Sequence, residues 1–286
     1  MKRLIWILFL IPIVGLSQPT SLFWAANSSN FRIVYEYAYS VVLQDSLPYY
    51  VDFKKDDGSK MYVLGDKNKS IFQYSLTTAW TFAGGVSYDS KALNLTAIDN
   101  KPYAFRLNSD CDTMFFVGGQ ADYLYCMSNS TPSNISLMSL QSNYSLAARG
   151  GNAFGLDVKP DGTKFFILDV DTDSIYQFRL ATGWNLSSVT YERAIYIGNL
   201  DGYATGLAFY NNGSQLHIIG TDNDTEYVIN CPNAYDLNGA TYTGKTFYVG
   251  AYDNSPTGMA FKTTDWNKMF ISAYQHSSIY QFNIIR

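Results

Sequence analysis

The sequence predicts an all-β fold, a five-bladed β-propeller in which each blade has four strands. Three observations predict it: a composition suited to sheets, a segment that recurs at a constant interval, and an N-terminal strand that the last repeat lacks. The 286 residues are 47% hydrophobic and 16% aromatic, and only 15% are charged. Because Tyr, Phe, Thr, Val and Ile fit a pleated, half-buried surface, this composition favours strands over helices.

The recurring segment is a short strand with a nearly constant sequence. It reads Ser-Ile-Phe-Gln-Tyr-Ser-Leu at 70–76, Ser-Ile-Tyr-Gln-Phe-Arg-Leu at 174–180 and Ser-Ile-Tyr-Gln-Phe-Asn-Ile at 278–284. The two intervals are equal, each twice about 52 residues, and weaker copies at 123–126 and 226–229 fall midway. A constant period of this length is typical of propellers and other repeat folds. The sequence therefore contains five repeats.

Each repeat contains the signals for four short strands. An apolar strand opens the repeats near residues 51, 104, 155, 206 and 258. An Asp-Gly turn follows in the first and third repeats, at Asp57-Gly58 and Asp161-Gly162, and such a turn joins the strands of a hairpin because glycine tolerates positive φ. The recurring segment forms the third strand, and a tyrosine-bearing fourth strand follows. Four strands per repeat is the anatomy of a propeller blade, and five blades lie within the usual range.

The two ends of the chain predict how the ring closes. The last repeat stops after its third strand, and a strand-like segment over residues 31–39 precedes the first repeat. Trp24 lies before this segment and takes the place that Trp80 and Trp184 hold in later repeats. An N-terminal strand that completes the last blade would remove the open edges of the ring, so a closed ring is preferred to an open array.

The first seventeen residues have the pattern of a secretory signal peptide. Lys2 and Arg3 precede an apolar run from Leu4 to Leu16, and Ser17 offers a small residue at the cleavage site. The run has about 13 apolar residues, too few for the ~20 that span a bilayer. We expect residues 1–17 to be removed, leaving a single secreted propeller domain at 18–286 without a stable membrane span.

Three cysteines are too few for a disulfide framework. Cys111 and Cys126 fall in one repeat and are the more natural pair in an oxidising compartment, which leaves Cys231 unpaired. The alternative is that all three are small buried hydrophobic side chains. Nine Asn-X-Ser/Thr sequons would make the chain a glycoprotein in a eukaryotic secretory pathway.

The repeat resembles a known group of propeller sequences. The phrase Pro-Asp-Gly-Thr-Lys-Phe-Phe-Ile at 160–167 is similar to the strand pair of YVTN-type repeats. With the Ile-Tyr-Gln-Phe segment and the tryptophan that follows, it resembles repeats of secreted bacterial and phage-encoded propellers. The resemblance covers nearly all of residues 18–286 and implies a propeller fold and a binding surface. It supplies no active-site motif, and the turns of the second and fourth repeats depart from the pattern.

Two carboxylates are the only candidate catalytic pair. Asp52 and Asp157 occupy the third position of the opening strand, where alignment of the other repeats places Ala104, Ala208 and Ala260. If this strand is innermost, both reach the central channel, and glycosidases use paired carboxylates as acid and as nucleophile or base. The other interpretation is that each satisfies backbone donors or a bound water in a crowded channel.

An acidic loop is a candidate metal site. Asp169, Asp171 and Asp173 alternate between the second and third strands of the third repeat, and Ca²⁺ prefers such oxygen ligands. No glycine stands where an EF-hand requires it, so the prediction is a structural calcium ion or an ordinary turn. No other cofactor is indicated. The two histidines, His217 and His276, do not have metal-ligand spacing.

The distribution of charge indicates which classes of binding partner to expect. The net charge is −4 and the basic residues are scattered, which argues against nucleic acid as a partner. We expect a non-catalytic scaffold that recognises an extracellular glycan or protein through its loops, since a stiff ring presents loops for binding. A structural component of a virion or filament is one alternative, and a glycosidase that uses Asp52 and Asp157 is another.

Overall fold

The chain folds into five four-stranded antiparallel sheets arranged as blades around a common axis. The computed structural model describes residues 32–286, and nearly all of its regular structure is β-strand. Blades 1 to 4 contain β2–β5, β6–β9, β10–β13 and β14–β17, and blade 5 contains β18–β20 and β1. Within residues 32–286, no helix has the length and apolar character that crossing a membrane requires. The predicted five-bladed propeller is confirmed.

From β2 onward, the strands of each blade follow one another in the chain from the innermost to the outermost. β1 is the outermost strand of blade 5. The strands are β1 (Arg32–Ser40), β2 (Pro48–Phe53), β3 (Lys60–Gly65), β4 (Ser70–Thr78), β5 (Thr81–Asn94), β6 (Pro102–Leu107), β7 (Thr113–Gly118), β8 (Tyr123–Ser128), β9 (Ser139–Ser145), β10 (Ala153–Val158), β11 (Lys164–Asp169), β12 (Ser174–Leu180), β13 (Val189–Tyr196), β14 (Ala204–Tyr210), β15 (Gln215–Gly220), β16 (Thr225–Asn230), β17 (Thr241–Tyr248), β18 (Pro256–Phe261), β19 (Lys268–Ala273) and β20 (Ser278–Ile285).

The ring closes through its N-terminal strand, as predicted. β1 pairs antiparallel with β20, from Arg32 opposite Ile285 to Ser40 opposite Ser278. This pairing gives blade 5 its fourth strand and covers the edge of β20. The expected signal peptide and Trp24 lie outside the described residues.

Aromatic rings hold neighbouring blades together. Phe53 of blade 1 lies 4.2 Å from Phe270 of blade 5, and Phe166 of blade 3 lies 4.5 Å from Phe209 of blade 4, measured between ring centroids. All four rings are buried. Removing one such ring from water stabilises the fold by about 1.5–3 kcal/mol. Aromatic side chains therefore contribute to the packing between the sheets.

The Asp-Gly turns form as the sequence predicts. Gly58 and Gly162 have φ of 63° and 72°. A Cβ at Gly58 would lie 2.2 Å from the ring of Trp80, and one at Gly162 would lie 2.1 Å from Trp184. Glycine is required at these turns for both reasons, because it accepts positive φ and leaves room for the indole.

A buried carboxylate fixes the loop that precedes the first strand in four of the blades. Asp45, Asp99, Asp201 and Asp253 each accept backbone hydrogen bonds from their own loop and from the turn after the second strand. The second strand ends there in a small residue, and a Cβ at Gly65, Gly118 or Gly220 would collide with the carboxylate of its blade. The small residue and the carboxylate are therefore complementary.

Blade 3 has the same pair with its two members exchanged. Gly150 stands where the other blades have the aspartate, and Asp169 stands at the end of the second strand. A Cβ at Gly150, which has φ of 114°, would lie 2.3 Å from Asp169. The carboxylate reaches the same space from the opposite side.

The three cysteines are buried free thiols, so the expected Cys111–Cys126 disulfide is not formed. Cys111 lies in the turn before β7 and faces Tyr62 of blade 1, whereas the Cys126 Sγ lies 3.7 Å from the Trp184 carbonyl oxygen of blade 3. The two side chains point to different neighbouring blades, which is why sharing a repeat does not bring them together. Burial raises the pKa of the Cys126 thiol to about 11. The alternative of small buried side chains describes the structure.

Candidate functional site

Every innermost strand has an irregularity near its start. The pairing register of β2, β6, β10, β14 and β18 with the second strand of each blade shifts within the first residues. The extra residues at these bulges are Tyr49, Tyr103, Phe154, Thr205 and Thr257. Bulges turn side chains away from the regular alternation of a strand. Here they direct three aromatic rings and two threonines toward the axis at one end of the ring.

The three rings are part of an aromatic bowl, which we define as Tyr49, Tyr103, Phe154, Tyr203 and Tyr274. These residues line one depression of about 250 Å³. Tyr203 comes from the loop before β14, and Tyr274 from the turn after β19, so each blade contributes one ring. The bowl therefore exists only when the ring of blades is closed.

The bowl is built by ring-to-ring contact. Tyr103 and Phe154 stack with centroids 4.0 Å apart and an interplanar angle of 15°. Tyr49 lies 5.4 Å from Tyr103 and 5.9 Å from Tyr274, and Phe154 lies 5.5 Å from Tyr203. Such contacts hold the rings in place, and Tyr203 at the rim keeps an exposed face that a ligand could contact.

Exposure in the bowl increases from its floor to its rim. Tyr49 and Phe154 are buried, whereas Tyr203 is 41% exposed. Burial raises the pKa of Tyr274 to about 12, and the hydrogen bond that its hydroxyl donates to Asp66, at 3.0 Å, acts in the same direction. Tyr274 is therefore neutral at neutral pH, and its hydroxyl is held by Asp66.

A buried polar cluster lies on the axis beyond the bowl. We call it the axial lock and define it as Arg106, Tyr50, Asp52 and Asp157. The guanidinium of Arg106 donates to Asp157 at 2.8 Å and to the carbonyl oxygens of Val51, Leu207 and Met259 at 3.2, 3.0 and 2.9 Å. Together with its own β6, Arg106 contacts all five blades. It is 2% exposed.

Tyr50 completes the axial lock. Its hydroxyl donates to the carbonyl oxygens of Leu156 and Leu207 at 2.8 and 3.0 Å, and the Arg106 guanidinium lies 4.7 Å from its ring centroid. Burial raises the pKa of Tyr50 to about 12, against the opposing effect of Arg106. A Cβ at Gly258 would lie 2.6 Å from the Tyr50 ring, so the ring needs a glycine in blade 5.

The two candidate catalytic carboxylates both belong to this lock. Asp157 accepts from Arg106 and from the backbone N–H of Val158 and Phe209. Asp52 accepts from Lys55 Nζ at 2.8 Å and from the backbone N–H of Leu107 at 2.9 Å, with Arg106 3.9 Å away. Both line a cavity of about 140 Å³ at the end of the axis opposite the bowl. These hydrogen bonds agree with the alternative in which each carboxylate satisfies backbone donors.

The alignment that placed Ala104 level with Asp52 is wrong. Asp52 pairs with Tyr62, Arg106 with Phe115 and Asp157 with Phe166, so Arg106 is the residue of blade 2 at this level. Ala104 is instead level with Tyr50. Matching alanine to alanine shifted the second repeat by two residues and hid the arginine between two acids. A buried pair of aspartates that needs a cation was the signal that could have located it.

In the acidic loop of blade 3, the carboxylates accept hydrogen bonds from nearby residues of the same blade. The buried Asp169 carboxylate accepts from Asn152 N at 2.9 Å, Thr172 N at 3.0 Å and Thr172 Oγ1 at 2.8 Å. Asp171 accepts from the Asn152 side chain at 3.2 Å, and Asp173 has φ of 48° at the end of the turn. In the part of the chain from residue 32 onward, no three acidic, histidine or cysteine side chains converge in a metal-binding arrangement. The calcium ion stays a prediction.

The aromatic bowl was not predicted from the sequence. The three bulge residues Tyr49, Tyr103 and Phe154 occupy one repeated position, and their shared aromatic character was a usable signal. Tyr203 and Tyr274 occupy other positions of the repeat, so no periodic signal marks them.

Comparisons with known proteins agree with the fold. No family model matches this sequence, and no curated protein sequence matches it. A functionally unknown protein from Desulfotomaculum acetoxidans is 14% identical, with 90% of this chain and 95% of that chain covered and a TM-score of 0.56. A luciferin-regenerating enzyme is 9% identical, with 86% and 95% covered and a TM-score of 0.52. At such low identity, these similarities show the fold alone, and the resemblance to YVTN-type repeats gains no matching family model.

Proposed function

We propose that the chain is a secreted, non-catalytic recognition protein that binds an extracellular glycan in the aromatic bowl. The observation that carries the proposal is the convergence of five rings, one from each blade, on a single rigid depression. Sugar rings present apolar C–H faces bordered by hydroxyl groups, and tyrosine offers a matching flat face with a polar tip. The aromatic bowl therefore suits a neutral sugar better than a charged ligand.

The dimensions favour one unit of a longer chain. Pockets for drug-sized ligands usually occupy about 300–1,000 Å³, and the bowl, at about 250 Å³, is slightly smaller. A single sugar ring bound against Tyr103 and Tyr203 would leave the rest of a glycan outside, over the loops that surround the bowl. Loops on a stiff scaffold are where binding specificity usually lies.

The axial lock supports recognition over catalysis. Arg106, Lys55 and backbone N–H groups already occupy the oxygens of Asp52 and Asp157. A general acid or nucleophile must be able to reach its substrate. Both carboxylates also lie at the opposite end of the axis from the bowl.

The proposal is tested by measuring binding of the chain from Gln18 onward to a broad panel of glycans. Saturable binding to one class is expected, and Tyr203→Ala should weaken it about tenfold, since an aromatic contact contributes about 0.5–1.5 kcal/mol beyond the buried area. Tyr242→Ala is the matched control, because Tyr242 is 43% exposed and lies on the outer strand of blade 4. A flat response across the panel, or equal losses in the two variants, would contradict the proposal.

A further inference from the structure

A further cavity lies on the flank of blade 4, away from the aromatic bowl and from Asp52 and Asp157. It has a volume of about 250 Å³, and its polar lining includes Tyr210, His217, Lys245 and Arg286. Tyr210 ends the first strand of the blade, His217 lies in its second, and Lys245 lies in its outermost. The cavity therefore brings three basic side chains to one place, in a chain whose net charge is −4.

His217 is held in a fixed orientation by a buried acid. Its Nδ1 contacts Glu226 Oε1 on the neighbouring strand, and the exposed fractions of the two residues are 1% and 0%. The ring packs between Tyr210 and Phe261, with centroids 5.0 and 4.8 Å away. These contacts determine the position of Nε2, which has no hydrogen-bond partner among the described residues.

The pairing with Glu226 determines what Nε2 can do. An anion bound at Nε2 and Glu226 at Nδ1 would both favour the imidazole with protons on its two nitrogens. In that state both ring nitrogens are donors, so Nε2–H requires an acceptor. Burying a donor without an acceptor is costly, and a negatively charged oxygen is the strongest acceptor available.

The other groups of the cavity favour a negative ligand. The Arg286 guanidinium donates to the Tyr210 hydroxyl from Nε at 3.1 Å and lies 5.2 Å from the ring centroid. Glu226 is not among the lining residues, whereas His217, which it contacts, is one of them. The nearby Asp265 is paired with Lys262 at 2.7 Å. The residues that line the cavity thus carry basic groups and a hydroxyl, and none of them is Asp or Glu.

We propose that this cavity is an oxyanion-binding site, in which His217 Nε2 and Arg286 donate hydrogen bonds to a carboxylate, sulfate or phosphate group. Tyr210 orients the guanidinium, and Glu226 orients the imidazole. The site is independent of the glycan proposal, since it shares no residue with the aromatic bowl.

The chain offers a direct probe of this site because it contains two histidines. Long-range ¹H–¹⁵N NMR spectra of the chain from Gln18 onward would be recorded during titration with sodium sulfate, sodium phosphate or sodium acetate, at ionic strength held constant with sodium chloride. Saturable movement of the His217 Nε2 resonance is expected with at least one anion. His276, whose Nδ1 lies 2.8 Å from Asp253 and which does not line the cavity, is the internal control. The three salts distinguish which oxyanion class the site prefers.

Substitution of Arg286 tests the site without disturbing the buried pair. Arg286→Gln should weaken the binding of the preferred anion about tenfold or more, because it removes a charge-assisted donor. Arg149→Gln is the matched control, since the Arg149 guanidinium also lies over a tyrosine, 4.1 Å from the Tyr191 ring centroid. His217→Gln is a second variant, and it should abolish binding if it folds. An unmoved His217 resonance with all three salts would overturn the proposal, and so would equal losses in the two arginine variants.

Discussion

At the residue scale, Arg106 determines how the centre of the ring is built. One guanidinium reaches an aspartate of blade 3 and carbonyl oxygens of blades 1, 4 and 5. Burial by itself would lower the pKa of Arg106, but Tyr50, Asp157 and Asp52 raise it, so the side chain stays charged. A buried cation needs such partners, and the partners equally need the cation.

Arg106→Met is therefore expected to destabilise the protein strongly. It leaves Asp157 buried without its cation and removes a donor from three carbonyl oxygens, of which only Leu207 O keeps Tyr50 as a side-chain donor. Breaking a buried pair from one side costs about 3–5 kcal/mol. The free energy of unfolding in urea at neutral pH measures the loss. Arg149→Met, which removes an arginine from the surface, should change it by less than about 1 kcal/mol.

Changing the acid together with the arginine gives the control for this interpretation. Arg106→Met with Asp157→Asn should recover part of the lost stability, because no uncompensated charge remains. A loss no larger than that of Arg149→Met would contradict the axial lock. Loss of polysaccharide turnover in Asp52→Asn and Asp157→Asn, with binding kept, would instead support the glycosidase alternative.

At the element scale, the loop before the first strand of each blade is fixed by a carboxylate in one of two arrangements. Four blades fix the loop before their first strand with an aspartate from that loop, and blade 3 uses Asp169 from the end of β11. In both arrangements a carboxylate accepts backbone N–H groups that would otherwise be buried without partners. The carboxylate has the same place in both arrangements. It comes from the loop in four blades and from the end of the second strand in blade 3.

Asp169→Gly is expected to destabilise the protein by about 1–3 kcal/mol, since Asn152 N and Thr172 N lose their acceptor. Adding Gly150→Asp supplies a carboxylate from the loop, as in the other four blades, but the φ of 114° at Gly150 disfavours a side chain, so only a small part of the loss should be recovered. Thermal and urea unfolding measure both effects. Asp171→Gly is the control, because Asp171 lies in the same loop and is exposed. Equal stability of Asp169→Gly and Asp171→Gly would contradict the role of Asp169, and a rise in the Tm of the unchanged chain with calcium would support the predicted ion.

At the scale of the whole molecule, closure of the ring makes both the axial lock and the aromatic bowl possible. Every blade contributes a ring to the bowl, and Arg106 contacts every blade. β1 holds blade 5 in its four-stranded form through its pairing with β20, and Tyr35 packs on Phe282 with centroids 6.0 Å apart. Stability and the candidate site therefore depend on the same closure.

A chain that begins at Val41 is expected to lose this closure. Without β1, the edge of β20 is open to pairing with other molecules, so the shortened chain should self-associate. Sedimentation velocity measures the association, and a chain that begins at Gln18 is the control. A monomeric shortened chain with unchanged Tm would contradict the role of β1.

The sequence by itself determined the number of blades, the four strands of each blade, the Asp-Gly turns and the closing strand. These features depend on hydrophobic alternation and turn chemistry, which are local and repeat with a constant period. The tertiary structure alone decided the rest. Arg106 meets Asp157 across a distance of 51 residues, Cys111 and Cys126 face different blades, and five aromatic rings meet at the end of the axis. Such contacts depend on how blades rotate around a common axis and on bulges that redirect single side chains. The rotation of the blades leaves no periodic trace in the sequence, and the bulges leave one only in the aromatic character that Tyr49, Tyr103 and Phe154 share.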